Sequence, residues 1–297
     1  MRGAAPFRLL LVHAHPDDET LATGGTIARY AAAPDTSVTL VTCTLGEQGE
    51  IAPPELALLA AEHADQLGGY RIGELAAACD ALGVRDHRFL GGVARWRDTG
   101  MVLTGYGTRA AAPDELRPTA FARPDTFDEQ VAQLVAVLDD VQPQVVISYD
   151  PDGGYGHPDH IRAHKITMAA AARAPGVRKV YWTASSRADL DAALAELADV
   201  GSLPYRLPEP EELATVPDDT VTTRIDVSDR LAAKVAALRA HRTQLTVFTA
   251  GGRTGYALTN DIAQPVLRTE SYTLVGGDTD AAASTVEDDL FAGVEPS

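Results

Sequence analysis

This chain of 297 residues lacks several features that mark whole classes of protein. It has only two cysteines, Cys43 and Cys79, and no CxxC pair, which argues against a disulfide framework and favours a reducing cytoplasm. It shows no apolar run long enough to span a bilayer and no secretory signal pattern at its start. Basic residues are few, since 25 Lys and Arg against 42 Asp and Glu give a net charge of −17. Because nucleic acids and anionic lipids attract basic surfaces, we expect neither as a partner.

The remaining composition is that of an ordinary globular protein. Hydrophobic residues make up 45% and charged residues 23%, and the length suits one large α/β domain or two smaller ones. Apolar or β-branched runs predict strands at 8–13, 37–44, 88–90, 144–149, 179–183 and 220–227. Helical spacing predicts helices at 20–33, 54–82 (with a break near Gly68 and Gly69), 127–140, 158–174, 190–200 and 230–244. Segment 91–124 is predicted to be a long loop, and the tail after Gly276 to be partly loose.

The order of these elements indicates the fold class. Alternating strands and helices predict an α/β, Rossmann-like fold, a mainly parallel sheet with helices on both faces. We divide the chain into a Rossmann-like domain at 1–174 and a smaller C-terminal portion at 175–297 that completes the sheet and closes the site. Ligands of such sheets bind beyond the carboxyl ends of the strands. Strands 8–13 and 144–149 both run directly into polar clusters at that end.

These two clusters are rich in imidazole and carboxylate. Residues 13–19 read HAHPDDE, and residues 149–160 read YDPDGGYGHPDH. His15 and Asp18 are three residues apart, so a tight turn that enters a helix can aim both at one point. His160 would join them from the second cluster, two residues into a helix.

Three such side chains predict a metal site. Zinc binds imidazole nitrogen and carboxylate oxygen, and three protein ligands leave one position for water. Asp17, next to the predicted ligand Asp18, is a candidate to accept a proton from that water. Any single Asp here could instead cap a helix or a turn, but two dense clusters at two strand ends favour the metal interpretation. We therefore assign the catalytic role to the domain at 1–174.

The paired motifs also resemble a known family. AHPDDE at 14–19 together with GHPDH at 156–160 resembles the LmbE-like, GlcNAc-phosphatidylinositol deacetylase superfamily. Within it, the similarity is greatest to the branch that acts on GlcNAc-inositol in the mycothiol pathway. Further similar segments lie at 42–50, 63–75, 90–101, 149–160 and 234–244. The resemblance therefore spans most of the chain, and it implies a Rossmann-like fold and a metal-dependent hydrolase.

The resemblance also implies residue roles. The implied metal ligands are His15, Asp18 and His160, and the implied general base is Asp17. Tyr155 would polarise the amide carbonyl or stabilise the oxyanion. His157, oriented by Asp159, would lie beside the tetrahedral intermediate as a cationic or acid partner. The implied residues around the sugar or inositol hydroxyls are Arg71, Asp98 and Glu50. The metal is expected to be zinc, with ferrous iron as the alternative in the cell.

The expected function is hydrolysis of the N-acetyl group of GlcNAc-inositol in mycothiol biosynthesis, with a small amino-sugar inositol as substrate and the cytoplasm as location. One rival is the sister amidase that cleaves mycothiol S-conjugates with the same metal chemistry. A rival of another class is a non-catalytic sugar- or metal-binding protein on the same fold. The choice between Asp17 and His157 as proton donor to the leaving amine stays open, as does the oligomeric state.

The other conspicuous side chains have more ordinary expectations. His13 is expected to pack at the end of its strand, and His164 to lie on a helix face, although its spacing from His160 would suit a fourth ligand. Trp96 could stack on a sugar or anchor its loop. Three further histidines are expected to be solvated or on a helix surface: His63, His87 and His241.

Overall fold

The computed structural model describes residues 6–104, 109–277 and 286–296. A seven-stranded sheet organises these residues, and two smaller sheets accompany it. The strands are β1 (Phe7–His13), β2 (Thr36–Thr42), β3 (Asp86–Phe89), β4 (Val102–Thr104), β5 (Arg109–Ala111), β6 (Val145–Ser148), β7 (Lys179–Ala184), β8 (Thr223–Asp226), β9 (Leu245–Ala250), β10 (Arg253–Leu258), β11 (Ala263–Pro265) and β12 (Thr269–Gly277). The α-helices are α1 (Asp18–Ala32), α2 (Leu67–Leu82), α3 (Phe127–Val141), α4 (Gly153–Gly156), α5 (Pro158–Ala171), α6 (Arg187–Ala198) and α7 (Leu231–Ala240).

The central strand β1 explains why its sequence is a continuous apolar run. Leu9 and Leu11 pack with residues of α1, α2 and α7 in one core cluster. Leu10 and Val12 pack with residues of α3 and α5 in a second cluster. Because successive side chains of a strand point to opposite faces, helices that cover both faces bury all four residues.

The strand order of the large sheet is β3-β2-β1-β6-β7-β12-β8. The five strands from β3 to β7 pair in parallel. β12 pairs antiparallel with both β7 and β8. The prediction of an α/β fold with a mainly parallel sheet and helices on both faces is confirmed. The strands β7, β8 and β12 of the C-terminal portion extend the same sheet, and the division at residue 174 stays a prediction.

Several predicted element boundaries differ from the structure. Gly68 and Gly69 do not break a helix but lie in the first turn of α2, after a separate 3-10 turn at Pro54–Leu59. A Cβ on Gly68 would lie 2.6 Å from the Glu47 side chain, so this glycine permits close packing. The predicted loop 91–124 contains the hairpin β4–β5, and the predicted helix 230–244 ends early, at Ala240.

Antiparallel pairing dominates the strands that the sequence pattern missed. β9, β10 and β11 form a three-stranded antiparallel sheet. Much of the tail after Gly276 falls outside the described residues, although 286–296 lie within them. Both cysteines are free and buried. Across the described ranges, no helix combines the length and apolar character needed to cross a bilayer.

Candidate metal centre and active site

Two turns meet beyond the carboxyl ends of β1 and β6, which are adjacent parallel strands. The first turn enters α1 at Asp18, and the second passes through α4 and enters α5 at Pro158. The Asp18 carboxylate lies between two imidazoles. Its Oδ2 is 3.1 Å from Nδ1 of His15, and its Oδ1 is 3.3 Å from Nε2 of His160. The Asp18 carboxylate thus contacts both of the other expected ligands, His15 and His160.

Tyr149, the residue after β6, holds this arrangement from below. Its hydroxyl donates to Asp18 Oδ2 at 2.8 Å and accepts the Ala14 amide at 2.8 Å. Its ring stacks on the His160 imidazole, with centroids 4.2 Å apart and an interplanar angle of 13°. One buried tyrosine therefore orients two of the three expected ligands, and no local sequence pattern predicts this role.

The surroundings of His160 indicate whether a cation fits between its imidazole and the Asp18 carboxylate. Its Nδ1 lies 3.2 Å from the Gly153 carbonyl oxygen, which can only accept, so this ring nitrogen is the donor of the bond. Its Nε2 is buried and has no hydrogen-bond partner in the described part of the chain, yet it faces an oxygen of Asp18. Two acceptors that face each other are satisfied by a cation between them. Imidazole nitrogen with carboxylate oxygen is a donor set that suits zinc or ferrous iron.

His15 is oriented from its far side by two carboxylates. Its Nε2 lies 3.2 Å from Asp159 Oδ2 and 3.6 Å from Asp98 Oδ1, which leaves Nδ1 directed at Asp18. Burial would lower the pKa of His15, but these carboxylates raise it well above the usual range. A carboxylate behind a ligating imidazole is a common arrangement in metal sites, since it fixes the ring and its tautomer.

Among the described residues, two groupings of ligand atoms around His15 are compact enough to hold a metal ion, and neither contains Asp18. Ligand atoms of His15, His157 and His160 lie within 4.8 Å of one another, and so do those of His15, Asp98 and Asp159. His157 Nδ1 is engaged by the Asp159 amide at 3.1 Å. In the second grouping, the carboxylates of Asp98 and Asp159 both face Nε2 of His15.

Asp17 lies at the start of α1 in a strained backbone conformation. Its φ is 122°, a region that side-chain-bearing residues rarely adopt. Its amide donates to Glu19 Oε2 at 2.9 Å, and its carboxylate Oδ2 lies 3.2 Å from Arg71 Nη2. Burial raises the pKa of Asp17 to about 6, and Arg71 opposes that rise. A carboxyl group with such a pKa can both accept and return a proton near neutral pH.

The glycine-rich turn of the second cluster places His157 and Tyr155. Gly156 has a φ of 98°, and a Cβ there would lie 2.6 Å from the Ala110 carbonyl oxygen, so the turn requires glycine. His157 Nδ1 accepts the Asp159 amide, so the neutral ring carries its proton on Nε2. Burial, reinforced by His15, lowers the pKa of His157. Tyr155 lies beside His157, with ring centroids 6.0 Å apart.

The expected orientation of His157 by Asp159 thus takes a different form. The backbone amide of Asp159, rather than its carboxylate, contacts His157. The carboxylate contacts His15 and accepts the Thr99 amide at 2.9 Å. The side chain of Asp159 therefore supports a candidate metal ligand.

The three residues expected around the sugar hydroxyls occupy different environments. Arg71 is buried and donates to the carbonyl oxygens of Pro16 and Gly46. Asp98 is buried and accepts the amides of Gln48 and Gly100. Glu50, by contrast, is exposed.

Glu47 is a further acidic side chain at this site. It is buried, accepts the Asp98 amide at 2.9 Å and has a pKa raised by burial. The run at 42–50 contains both glutamates, but only the fold shows which one is buried.

The remaining histidines and Trp96 differ in how deeply they are buried. His13 packs in the core beside Thr23, as predicted, and His164 is buried with Nδ1 2.9 Å from the Tyr149 carbonyl oxygen. Trp96 is buried and donates to Gln133 at 2.8 Å, so it anchors its loop. His63 is exposed as expected, and His87 is partly buried.

The expectation for His241 is wrong. Helix α7 ends before His241, which is fully buried with Nε2 2.7 Å from Glu19 Oε1. Burial alone would raise the pKa of Glu19, but His241 lowers it to about 2. A buried ion pair therefore adjoins the first motif, and no local sequence pattern indicates it.

Sequence comparisons add independent findings. Residues 10–171 match the family described as PIG-L, GlcNAc-PI de-N-acetylase. A relative from Actinosynnema mirum, named 1D-myo-inositol 2-acetamido-2-deoxy-alpha-D-glucopyranoside deacetylase, is 58% identical over 99% of both chains. A relative from Saccharopolyspora erythraea with the same enzyme name is 54% identical over 99% of this chain and 96% of its own.

Solved structures show the same fold at low sequence identity. The zinc-inhibited form of teicoplanin deacetylase Orf2 is 18% identical, with a TM-score of 0.53 over 91% of this chain and 100% of its own. GalB, the 4-carboxy-2-hydroxymuconate hydratase from Pseudomonas putida KT2440, is 18% identical, with a TM-score of 0.53 over 94% of this chain and 100% of its own. Because a deacetylase and a hydratase share the fold, fold alone does not determine the reaction.

Proposed function

The chain belongs to the GlcNAc-PI de-N-acetylase family, and on that premise we propose that it is a metal-dependent hydrolase of N-acetyl sugars. Its substrate is GlcNAc-inositol (1D-myo-inositol 2-acetamido-2-deoxy-alpha-D-glucopyranoside), and its products are GlcN-inositol and acetate, in a step of mycothiol biosynthesis. The carrying observation is the 58% identity to a deacetylase of that name over nearly the whole of both chains.

The proposed metal ligands are His15 through Nδ1, Asp18 through Oδ1 and His160 through Nε2. The unpartnered Nε2 of His160 and its approach to Asp18 support this set. Zinc is the proposed metal, and ferrous iron has the same ligand preference. When bound, the ion would act as a Lewis acid toward the amide and make water more acidic.

Asp17 is the proposed general base and proton carrier. Its carboxylate takes a proton from the attacking water as the new carbon–oxygen bond forms, and it returns that proton to the amine nitrogen as the carbon–nitrogen bond breaks. Arg71 holds the carboxylate in place through its contact with Oδ2. Because the same group first accepts and then donates the proton, no second acid is required for the balance of the reaction.

His157 and Tyr155 are the proposed donors to the developing oxyanion. The Nε2–H of neutral His157 and the hydroxyl of Tyr155 are hydrogen-bond donors at the same site. Each such donor typically contributes about 3–4 kcal/mol to transition-state stabilisation. The Nδ1 acceptor role of His157 favours this neutral form over a cationic one.

Four residues are proposed to contact or shape the hydroxyl-binding pocket. Arg71 retains a buried Nε without a partner in the described part of the chain. Asp98 and Glu47 are the proposed acidic side of this pocket. The Asp98 amide donates to the Glu47 carboxylate and so holds the two residues together. Glu50, which is exposed, is the proposed outer residue of the pocket.

Acetate release from GlcNAc-inositol, measured with and without a chelator, tests this proposal. We expect release by the metal-loaded protein and its loss on chelation. A large preference for a mycothiol–bimane conjugate over GlcNAc-inositol would instead identify the sister amidase. Stoichiometric metal binding with no acetate release would support the non-catalytic alternative.

A further inference from the structure

Segment 234–244 is one of the segments that resemble the deacetylase family, and it has no role in the reaction described so far. After α7 ends, its last four residues read His-Arg-Thr-Gln and dock against the start of the chain. We propose that His241 and Glu19 are positioning residues that hold Asp17 in place for proton transfer. The inference rests on the proposed function, because it concerns the base of that reaction.

The two side chains form a fully buried pair. His241 Nε2 lies 2.7 Å from Glu19 Oε1, and both side chains are 0% exposed. The Thr20 hydroxyl donates to the same oxygen at 2.5 Å. The His241 imidazole and the Thr20 hydroxyl therefore fix Oε1 of the Glu19 carboxylate. Its Oε2 is left free to accept from another group.

That other oxygen, Glu19 Oε2, accepts the Asp17 amide at 2.9 Å. This bond matters because Asp17 has a φ of 122°, which an ordinary residue keeps only when its surroundings enforce it. The conformation sends the Asp17 side chain toward Arg71. A chain of contacts therefore runs from His241 through Glu19 to the backbone of the proposed base.

A second set of contacts fixes the segment independently of this chain. The Thr243 amide and hydroxyl donate to the two oxygens of Glu74 at 2.9 and 2.6 Å. The Ala52 amide donates to the Thr243 carbonyl oxygen at 2.8 Å. These bonds dock the segment on α2 and on the loop after β2, and none of them involves Asp17. Thr243 is therefore a control for the docking of the segment alone.

His241 also lies outside residues 10–171, the part that matches the family. The C-terminal portion thus contacts the turn that carries the proposed base through the His241 imidazole. Its loss should displace Asp17 without removing any proposed metal ligand or substrate contact.

A matched pair of substitutions tests the inference. In His241→Gln the amide nitrogen can occupy the place of Nε2 and still donate to Glu19. In His241→Asn the side chain is too short for its amide nitrogen to reach Glu19. We expect His241→Asn to lower kcat about 100-fold, the usual cost of displacing a catalytic group by about 1 Å. KM and metal content should stay within about twofold of the wild type. His241→Gln should retain kcat within about fivefold, since a donor to the carboxylate remains.

Thr243→Val is the structural control, and it should lower the denaturation midpoint with kcat unchanged. Equal losses of kcat in His241→Gln, His241→Asn and Thr243→Val would overturn the inference, and so would full activity in His241→Asn. If His241→Asn does not fold, Glu19→Gln serves instead, because one amide oxygen cannot accept from both His241 and Asp17.

A readout without catalysis separates this inference from the proposed function. In protein labelled with ¹⁵N-histidine, the His241 Nε2–H signal should lie at the low field of a short imidazole–carboxylate bond and move upfield in Glu19→Gln. An unshifted signal would contradict the pairing even if the enzyme deacetylates GlcNAc-inositol. The shifted signal without acetate release from the wild type would refute the proposed function and leave the contact intact.

Discussion

Tyr149→Phe removes one oxygen atom from the base of the candidate metal centre. The substitution keeps the ring that stacks on His160 and deletes the hydroxyl that serves two buried partners. Asp18 Oδ2 loses a donor at 2.8 Å, and the Ala14 amide loses its acceptor at 2.8 Å. Asp18 Oδ2 retains the His15 amide at 2.9 Å, so its orientation is weakened rather than abolished.

The magnitude follows from these two bonds. A bond to a charged acceptor is worth about 1.5–3 kcal/mol, and a buried N–H without a partner costs about 1–3 kcal/mol. Allowing for partial relaxation, we expect the free energy of unfolding of the metal-free protein to fall by about 2–4 kcal/mol. Because residues that orient metal ligands typically affect metal affinity 10- to 100-fold, zinc should bind about 10- to 100-fold more weakly.

Urea denaturation of the metal-free protein and competition for zinc against a calibrated chelator measure the two effects. Tyr181→Phe is the matched control, since its buried hydroxyl bonds Glu287 at 2.8 Å in the second half of the chain. It should lower stability with no change in zinc affinity. Wild-type zinc affinity in Tyr149→Phe would refute the reasoning, and so would equal weakening of zinc binding in both variants.

Three further predictions address the base, the oxyanion donor and the pH dependence of folding. Asp17→Asn should lower kcat about 10²- to 10⁴-fold with metal content unchanged, as measured by acetate release and metal analysis; unchanged turnover would remove Asp17 from the base role. His157→Gln, which keeps a donor near the Nε2 position, should retain far more kcat than His157→Leu, and equal losses would argue against the donor role. Burial lowers the pKa of His87 below 6.5, so the folded state binds a proton less readily than the unfolded chain. The free energy of unfolding should therefore fall as the pH drops below 6.5, and His87→Gln should reduce that slope in denaturation series; an identical slope would contradict it.

The strands were predictable from the sequence where helices bury both of their faces. The strands β1, β2, β6 and β7 are apolar or β-branched runs, and their pairing in a parallel sheet follows from the intervening helices. The hairpin β4–β5 was not predictable by the same means, because strands of three residues are too short to show a period. The sheet β9–β11 was missed because its strands are only partly buried and their pairing is antiparallel.

In the candidate site, contacts between residues close in sequence were predictable, and contacts between distant residues were not. His15 and Asp18 are three residues apart, so their convergence is visible in the sequence. The roles of Tyr149 and His241 depend on partners 131 and 222 residues away, which only the folded chain brings together. A lone histidine after a helix is ordinarily a surface residue, and nothing near His241 in the sequence indicates its buried carboxylate partner.

The central claim is that a single divalent ion, held by His15, Asp18 and His160, enables this chain to release acetate from GlcNAc-inositol. Its most direct test is a titration of metal-free protein with zinc, with acetate release measured at each addition. We predict that release is absent without metal and rises to saturation at one equivalent per chain. Release that is already maximal without metal, or no release at full occupancy, would contradict the account.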